Sequence, residues 1–344
     1  MKSLIGFLSS LVLIASAISP ASSSSVANKL IECIANNNIN PSSFQTIFNP
    51  ESSLFSLLLQ SRVQNLRYIN STTKPLLILT PSDDTQIQSA LLCSREQGIE
   101  IRARCGGHDY AGISYLSDKP YIVIDLFNLN EVQVDVKEET AWVQSGAQLG
   151  ELYYAIARQS TRFKPGVPPE VLLDKTQMFK AKFKAKTDFV TEPVPESAFE
   201  GIWKMMLEED VPIVILEPLG GKMNKIPESY TPFPHRKGHL YNIQYLVKWD
   251  KNGKEEEERH LEWMKRLYDY MEPHVSKSPR AAYLNYRDLD IGMNSAGGKT
   301  SFSEASVWGQ RYFRDNFKRL TEVKGMFDPE NFFRNEQSIP LLHK

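Results

Sequence analysis

Two apolar runs, residues 99–104 and 121–126, read as strands, and between them the chain passes through Arg104-Cys105-Gly106-Gly107-His108-Asp109-Tyr110. Paired glycines admit left-handed backbone and leave no side chains in the way, so successive N–H groups can close on a phosphate as an anion-binding nest. Alone, a Gly-Gly turn is more often just a turn. What it borders therefore decides its meaning.

Residues 81–84, Pro-Ser-Asp-Asp, open a helix in which Ile87, Ala90 and Leu91 recur at helical spacing and Gly98 is the stop. Residues 131–136 and 141–144 form a hairpin-like pair, followed by a helix over 150–159. Lysines over 175–186, with Phe179 and Phe183 four apart, predict an amphipathic helix with a solvated basic face. A helix over 195–209 and an apolar strand over 211–216 come next. Residues 240–249 alternate: Tyr241, Ile243, Tyr245, Val247 and Trp249 share one face, and Asn242 and Gln244 lie side by side on the other. An amphipathic helix over 254–270, a short strand over 281–286 and a long helix over 303–327 complete an α+β pattern of a size for two domains.

A positive start at Lys2, an apolar run over 4–18 and the small residues 19–25 predict a secretory signal peptide ending near residue 24. An uncleaved anchor is the alternative, although the run is shorter than the roughly 20 residues a membrane span needs. The expected location is extracellular or the cell wall, or the vacuole. Asn70-Ser71-Thr72 is an N-glycosylation sequon that agrees with export. The net charge of -1 gives no reason to expect nucleic acid or a membrane as partner, and no metal is expected. Three cysteines, Cys33, Cys93 and Cys105, leave one over in an oxidising compartment.

The extended turn, running on through Ala111-Gly112-Ile113-Ser114-Tyr115, resembles the flavin-attachment loop of the berberine bridge enzyme-like family of plant FAD-linked oxidases. Other stretches match that family in order: Asn65 to Tyr68, Val123 to Leu129, Gln144 to Tyr153, Pro232 to Arg236, Tyr283-Leu284-Asn285-Tyr286-Arg287-Asp288-Leu289-Asp290, and Asn331 to Pro340 with its Arg-Asn-Glu-Gln-Ser-Ile-Pro string. The resemblance implies a vanillyl-alcohol-oxidase-like fold with an FAD-binding PCMH-type domain and a substrate domain whose sheet lies over the isoalloxazine. By the same match, His108 is the residue that would carry the flavin covalently. Gly106, Gly107 and Gly112 would lie along the pyrophosphate, with Cys105, Asp109, Tyr110, Ser145 and Gly146 completing the cofactor site. Gln244 matches a position that holds either a catalytic glutamate or a glutamine, so here it would orient the substrate. Asn242 stands where some members have lysine, and Tyr286, ahead of Tyr283, matches the active-site tyrosine. A phenol, ordinarily near pKa about 10, would need a depressed value to act as base. The family pairs the positions of Cys33 and Cys93 in a disulfide, which leaves Cys105 free.

The family also carries, after the helix of residues 150–159, a cysteine-bearing glycine-rich segment that is not found here. Arg162-Phe163 joins directly to Pro165-Gly166-Val167, which matches a point well inside the substrate domain. The gap is on the order of 150 to 200 residues, the size of a domain. Expected boundaries are 1–24 for the leader, 25–162 for the N-terminal part of the FAD domain, 163–290 for the remaining substrate domain, and 291–344 for a segment returning to the FAD domain. The second, cysteinyl, flavin link is thereby absent. Two readings follow: an oxidoreductase passing hydride from a small alcohol, a phenolic alcohol or a carbohydrate to FAD and on to O2 or another acceptor, acting as a monomer; or an inactive secreted remnant.

Overall fold

A computed structural model describes residues 20–37, 46–69, 73–159, 168–175, 180–295 and 299–342. The leader up to residue 19, the sequon at Asn70 and the junction at 162–163 lie outside the described residues.

The strand before the glycine turn, β3 (Glu100–Arg104), pairs in parallel with the strand after it, β4 (Tyr121–Asp125), with Ile101 opposite Ile122 and Arg104 opposite Asp125. Two short strands, β1 (Ile47–Phe48) and β2 (Ile78–Leu79), extend the sheet in the order β1-β2-β4-β3. Every residue of β4 is buried, as expected of a parallel strand covered on both faces. On one face α1 (Pro20–Asn37) and α3 (Asp84–Glu96) enclose Leu30, Ile34, Leu79, Ala90, Ile122 and Ile124. On the other, Phe55 of α2 (Phe55–Ser61) meets Ile78, Tyr121 and Val123. Asp83 caps α3 by accepting from Gln86 N, and Gly98 follows its end at φ 68°, as its sequence indicates. The expected Cys33–Cys93 disulfide joins α1 to α3. Helix α1 itself was not foreseen, because its first residues fall in the Ser-rich stretch read as the end of the leader.

After β4, a hairpin of β5 (Val132–Asp135) and β6 (Thr140–Val143) leads to α4 (Leu149–Gln159). The second large sheet is antiparallel, in the order β7-β9-β8, from β7 (Lys182–Val190), β8 (Pro212–Pro218) and β9 (Tyr241–Trp249). Between β7 and β8 runs α5 (Glu196–Met206). Helix α6 (Lys254–Met271) lays Trp263, Met264, Leu267 and Met271 on the β9 face formed by Ile243, Tyr245, Val247 and Trp249. The opposite face carries Asn242 and Gln244, both buried.

Three expectations are corrected. Residues 182–190 form a strand, not part of a basic helix, because pairing with β9 imposes a period of two. That period buries Phe183, Ala185 and Phe189 on one face while Lys184 and Lys186 meet Asp288 at 2.7 Å on the other. The long C-terminal helix is two, α7 (Phe302–Phe313) and α8 (Asn316–Phe327), broken at Arg314 with φ 48°. The break lets Phe317 fold back on Trp308 and Phe313, and the Asn316 amide reach carbonyls of Glu228 and Thr231. Residues 281–286 are no strand: they run irregularly into a single 3-10 turn, Leu284–Tyr286. Beyond α8 the chain returns to the first sheet, where Arg334 Nε donates to Glu100 Oε1 at 3.1 Å and Arg102 donates to the Arg334 carbonyl at 3.1 Å.

Candidate active site

The glycine turn is held at its base by charge. Arg104, fully buried, donates to Asp125 Oδ2 at 2.7 Å and to the carbonyls of Leu59 and Leu58 at 2.9 and 2.6 Å. Burial pushes its guanidinium below its ordinary value and Asp125 opposes that fall, so the pair is a closed unit, satisfied by hydrogen bonds. Arg62 donates to the Cys105 carbonyl at 3.1 Å and lies 3.6 Å from Asp125.

Glycine is required at two points of the turn. At Gly107, φ 70°, a Cβ would stand 1.8 Å from the Arg62 carbonyl oxygen, and at Gly106 it would stand 2.5 Å from Cδ2 of His108. Gly106 thus lets the imidazole lie directly against the turn, and Gly107 lets the turn pack on the Arg62 backbone. His108 itself is exposed, with Nε2 3.3 Å from the Gln64 amide nitrogen. Desolvation on its inner side and the Arg62 charge hold its pKa below the ordinary histidine value. The neutral imidazole retains the lone pair that attack on an electron-poor carbon needs. Cys105 behaves oppositely: burial and then Asp125 raise its thiol, so it stays protonated. With Cys33 and Cys93 bonded to each other, no reactive thiol stands beside the turn.

These residues fit one edge of FAD: an accessible imidazole on a turn whose glycines Gly107 and Gly112 take left-handed backbone at φ 70° and 76°. Gly146, like Gly107, packs against a backbone carbonyl. It sits on the backbone, where a Cβ would lie 1.7 Å from the Leu126 carbonyl oxygen, and its N–H donates to Leu129 at 2.8 Å. Its neighbour Ser145 is exposed.

Tyr110 connects the turn to the second sheet. Its ring meets Phe183 of β7 edge-on at 5.0 Å and stacks on Tyr286 at 5.4 Å, while its hydroxyl accepts from Gln244 Nε2 at 3.0 Å. Asp109 accepts from the Ala111 N–H at 2.9 Å and faces Arg287 at 3.8 Å, a second bridge to the stretch that carries Tyr286. Asn242 donates to the Asp188 carbonyl at 3.0 Å. Tyr283 meets Tyr286 edge-on at 5.2 Å. Thus His108 and its glycines, Asn242, Gln244, Tyr283 and Tyr286 form one constellation with Tyr110 as the link.

One member was missed. Glu217 of β8 lies directly across from Asn242 in the sheet, and it accepts a hydrogen bond from the Tyr286 hydroxyl at 2.9 Å. The apolar run was read as ending at residue 216, whereas β8 continues to Pro218. Cross-strand partners share a face, so extending that strand by one residue and pairing it with β9 would have found it.

Residues 282–340 match the family model for "Berberine and berberine like" proteins, and residues 75–172 match that for an "FAD binding domain". Berberine bridge enzyme-like 23 of Arabidopsis thaliana is 34% identical over 512 residues, taking in 94% of this chain and 96% of the relative. Monolignol oxidoreductase AtBBE-like 13 of the same plant is 30% identical over 527 residues, 97% of each. Both alignments are longer than the 344-residue chain, so these relatives carry residues with no counterpart here. Among solved structures, Phl p 4, a grass pollen allergen with glucose dehydrogenase activity, superposes with a TM-score of 0.82 at 28% identity, covering 92% of this chain and 100% of that one. The family-model matches, the superposition and the identity across nearly the whole chain agree, and the protein belongs to the berberine bridge enzyme-like family of FAD-binding oxidoreductases.

Proposed function

We propose that this protein oxidises a small alcohol, a phenolic alcohol or a carbohydrate. The observation that carries this reading is the Gln244–Tyr110 hydrogen bond, which ties the His108 turn to the sheet face bearing Asn242, Gln244 and Tyr286. Bound FAD would supply the hydride acceptor, reoxidised by O2 or another acceptor. His108 would hold it, the turn of Gly106, Gly107 and Gly112 would lie along its pyrophosphate, and Asp109 fixes the turn. Gln244, buried and already donating to a hydroxyl, orients rather than deprotonates. Tyr286 faces the same space and is the group within reach of a substrate hydroxyl proton. The activities named for relatives, on a monolignol and on glucose, support this substrate range, and nothing in the comparisons favours an inactive remnant.

We further propose that the family's extra segment is absent after residue 162, that its cysteinyl flavin link is absent with it, and that the protein is an exported, glycosylated monomer. At most one covalent flavin link can then form. An opened pocket seats the isoalloxazine poorly, so little covalent flavin and turnover well below that of complete relatives are expected. Acid precipitation of the expressed chain, flavin absorbance of the pellet, tryptic mapping around His108 and assays on a monolignol and on glucose test this. Stoichiometric flavin in the pellet with turnover like complete relatives would overturn the reading of the gap; a colourless protein that takes up no added FAD would overturn the oxidoreductase reading.

A further inference from the structure

Tyr286 as a simple phenolate base conflicts with its surroundings. Burial comes first and the Glu217 carboxylate second in raising its pKa above the ordinary phenol value, the wrong direction for a group that must lose its proton alone. The groups facing its hydroxyl end are Glu217 from β8, Tyr110 from the glycine turn and Tyr283 from its own segment, and none is cationic. Arg287, the next residue, turns away to Asp109. The hydrogen bond is directed: the phenol donates and the carboxylate accepts, at 2.9 Å.

We propose that Glu217 is the terminal proton acceptor of a Tyr286–Glu217 relay, with Tyr286 as the catalytic residue and Glu217 acting through it. This rests on the alcohol-oxidising reading above. The substrate hydroxyl gives its proton to Tyr286 Oη as the Tyr286 proton passes to a Glu217 oxygen, while bound FAD would supply the acceptor for the hydride. The C–O bond becomes a carbonyl, two electrons leave with the hydride, and the one proton released resides on Glu217. The tyrosine ends as it began, so its raised pKa is no obstacle: it never accumulates as phenolate. Glu217 is partly exposed on strand β8, which gives the proton a path to solvent and resets the pair. The arrangement suits a substrate presenting a hydroxyl beside the abstracted hydrogen, and offers no acid to a substrate without one.

The test uses the full chain labelled with 13Cζ-tyrosine, the Tyr286 resonance being assigned by its loss in Tyr286→Phe. In Glu217→Gln, the Tyr286 titration midpoint should fall by about one pH unit or more, because a neighbouring negative charge is gone. This readout needs no flavin. In flavin-loaded protein, Glu217→Gln should lose about 100-fold in kcat with KM little changed, and the acidic limb of the wild-type pH profile should vanish; Glu217→Asp should restore part of the rate. An unmoved Tyr286 midpoint, or a Glu217→Gln enzyme with wild-type kcat and pH profile, would overturn the relay. If the wild-type chain takes up no flavin, the oxidoreductase reading falls while the resonance still judges the pair.

Discussion

Strand β9 and strand β6 each contain one tryptophan, Trp249 and Trp142, and the two strands have opposite fates. On β9, Ile243, Tyr245 and Val247 are fully buried and Trp249 nearly so beneath α6, whose Trp263 is 2% exposed and donates its indole N–H to the Met205 carbonyl at 2.8 Å. On β6 all four residues are exposed, with Trp142 at 82%. The helix that follows the hairpin, α4, likewise presents Leu149, Tyr153 and Ile156 to the outside. A two-stranded hairpin with an apolar outer face is marginal without a covering layer. The contrast lies in what covers each strand: α6 lies over β9 and encloses a core, whereas the hairpin and α4 present apolar side chains to the outside although the first sheet beside them has a core of its own.

The largest effect should come from the covered side. Trp263→Ala removes the centre of the α6–β9 core and one buried hydrogen bond, and should cost roughly 3 to 5 kcal/mol, measured by urea unfolding. A loss below about 1 kcal/mol would mean that this sheet is not the stable half.

The next effect belongs to the first sheet. Reducing or replacing Cys33–Cys93, which spans 60 residues, should cost roughly 2 to 4 kcal/mol by freeing the unfolded chain. Loss confined to residues around α1 and α3, with β9 amides still protected from hydrogen exchange, would show that the two halves unfold separately; a simultaneous loss of protection would show that the Tyr110 and Arg334 links make them one cooperative unit.

Legibility in the sequence divides along similar lines. Strand β9 could be read because alternation puts apolar residues on one face, and α3 because Asp83 and Gly98 mark its ends. The glycine turn and His108 could be found from the motif. Strand β7 was misread because its lysines resemble a solvated helix until Asp288 and Asp290, about a hundred positions later, neutralise them in the folded chain. The joining contact, Gln244 to Tyr110 across 134 positions, and the Tyr286–Glu217 bond across 69 depend on tertiary placement that no local pattern encodes. The disulfide followed from family resemblance, since three cysteines alone leave three pairings.

A third effect is set by pH. His235, buried against Phe189 and donating from Nε2 to the Tyr312 carbonyl at 3.1 Å, has its pKa lowered to about 3 by burial first and then by His239. Arg314 lowers it further. The sign is that of a depressed histidine: between the unfolded value near about 6.5 and the folded value the unfolded chain binds more protons, so stability present above that range is lost as pH falls through it. Moving from pH 7 to pH 5 should cost roughly 2 kcal/mol through this residue. In His235→Asn that pH dependence should flatten, whatever the variant's absolute stability. An unchanged slope would assign the acid sensitivity to the carboxylates instead.

The smallest expected effect is the most informative about the hairpin. Trp142→Ser alters a side chain that is 82% exposed and stands opposite Gln133. If nothing in this chain covers β6, the substitution removes apolar surface from water and no core contact, so unfolding free energy should change by no more than about 0.5 kcal/mol. Self-association, followed by light scattering as concentration rises, should fall, because an uncovered apolar hairpin with two open edges favours pairing between chains. Far-UV spectra and urea midpoints of the two proteins should coincide. A loss above about 1.5 kcal/mol would mean that Trp142 is packed in solution, and would end the contrast between a covered and an uncovered half. A stability equal to wild type with unchanged association would keep the contrast but move the sticky surface elsewhere, to the face of α4 around Leu149 and Tyr153, where Leu149→Ser is the corresponding test.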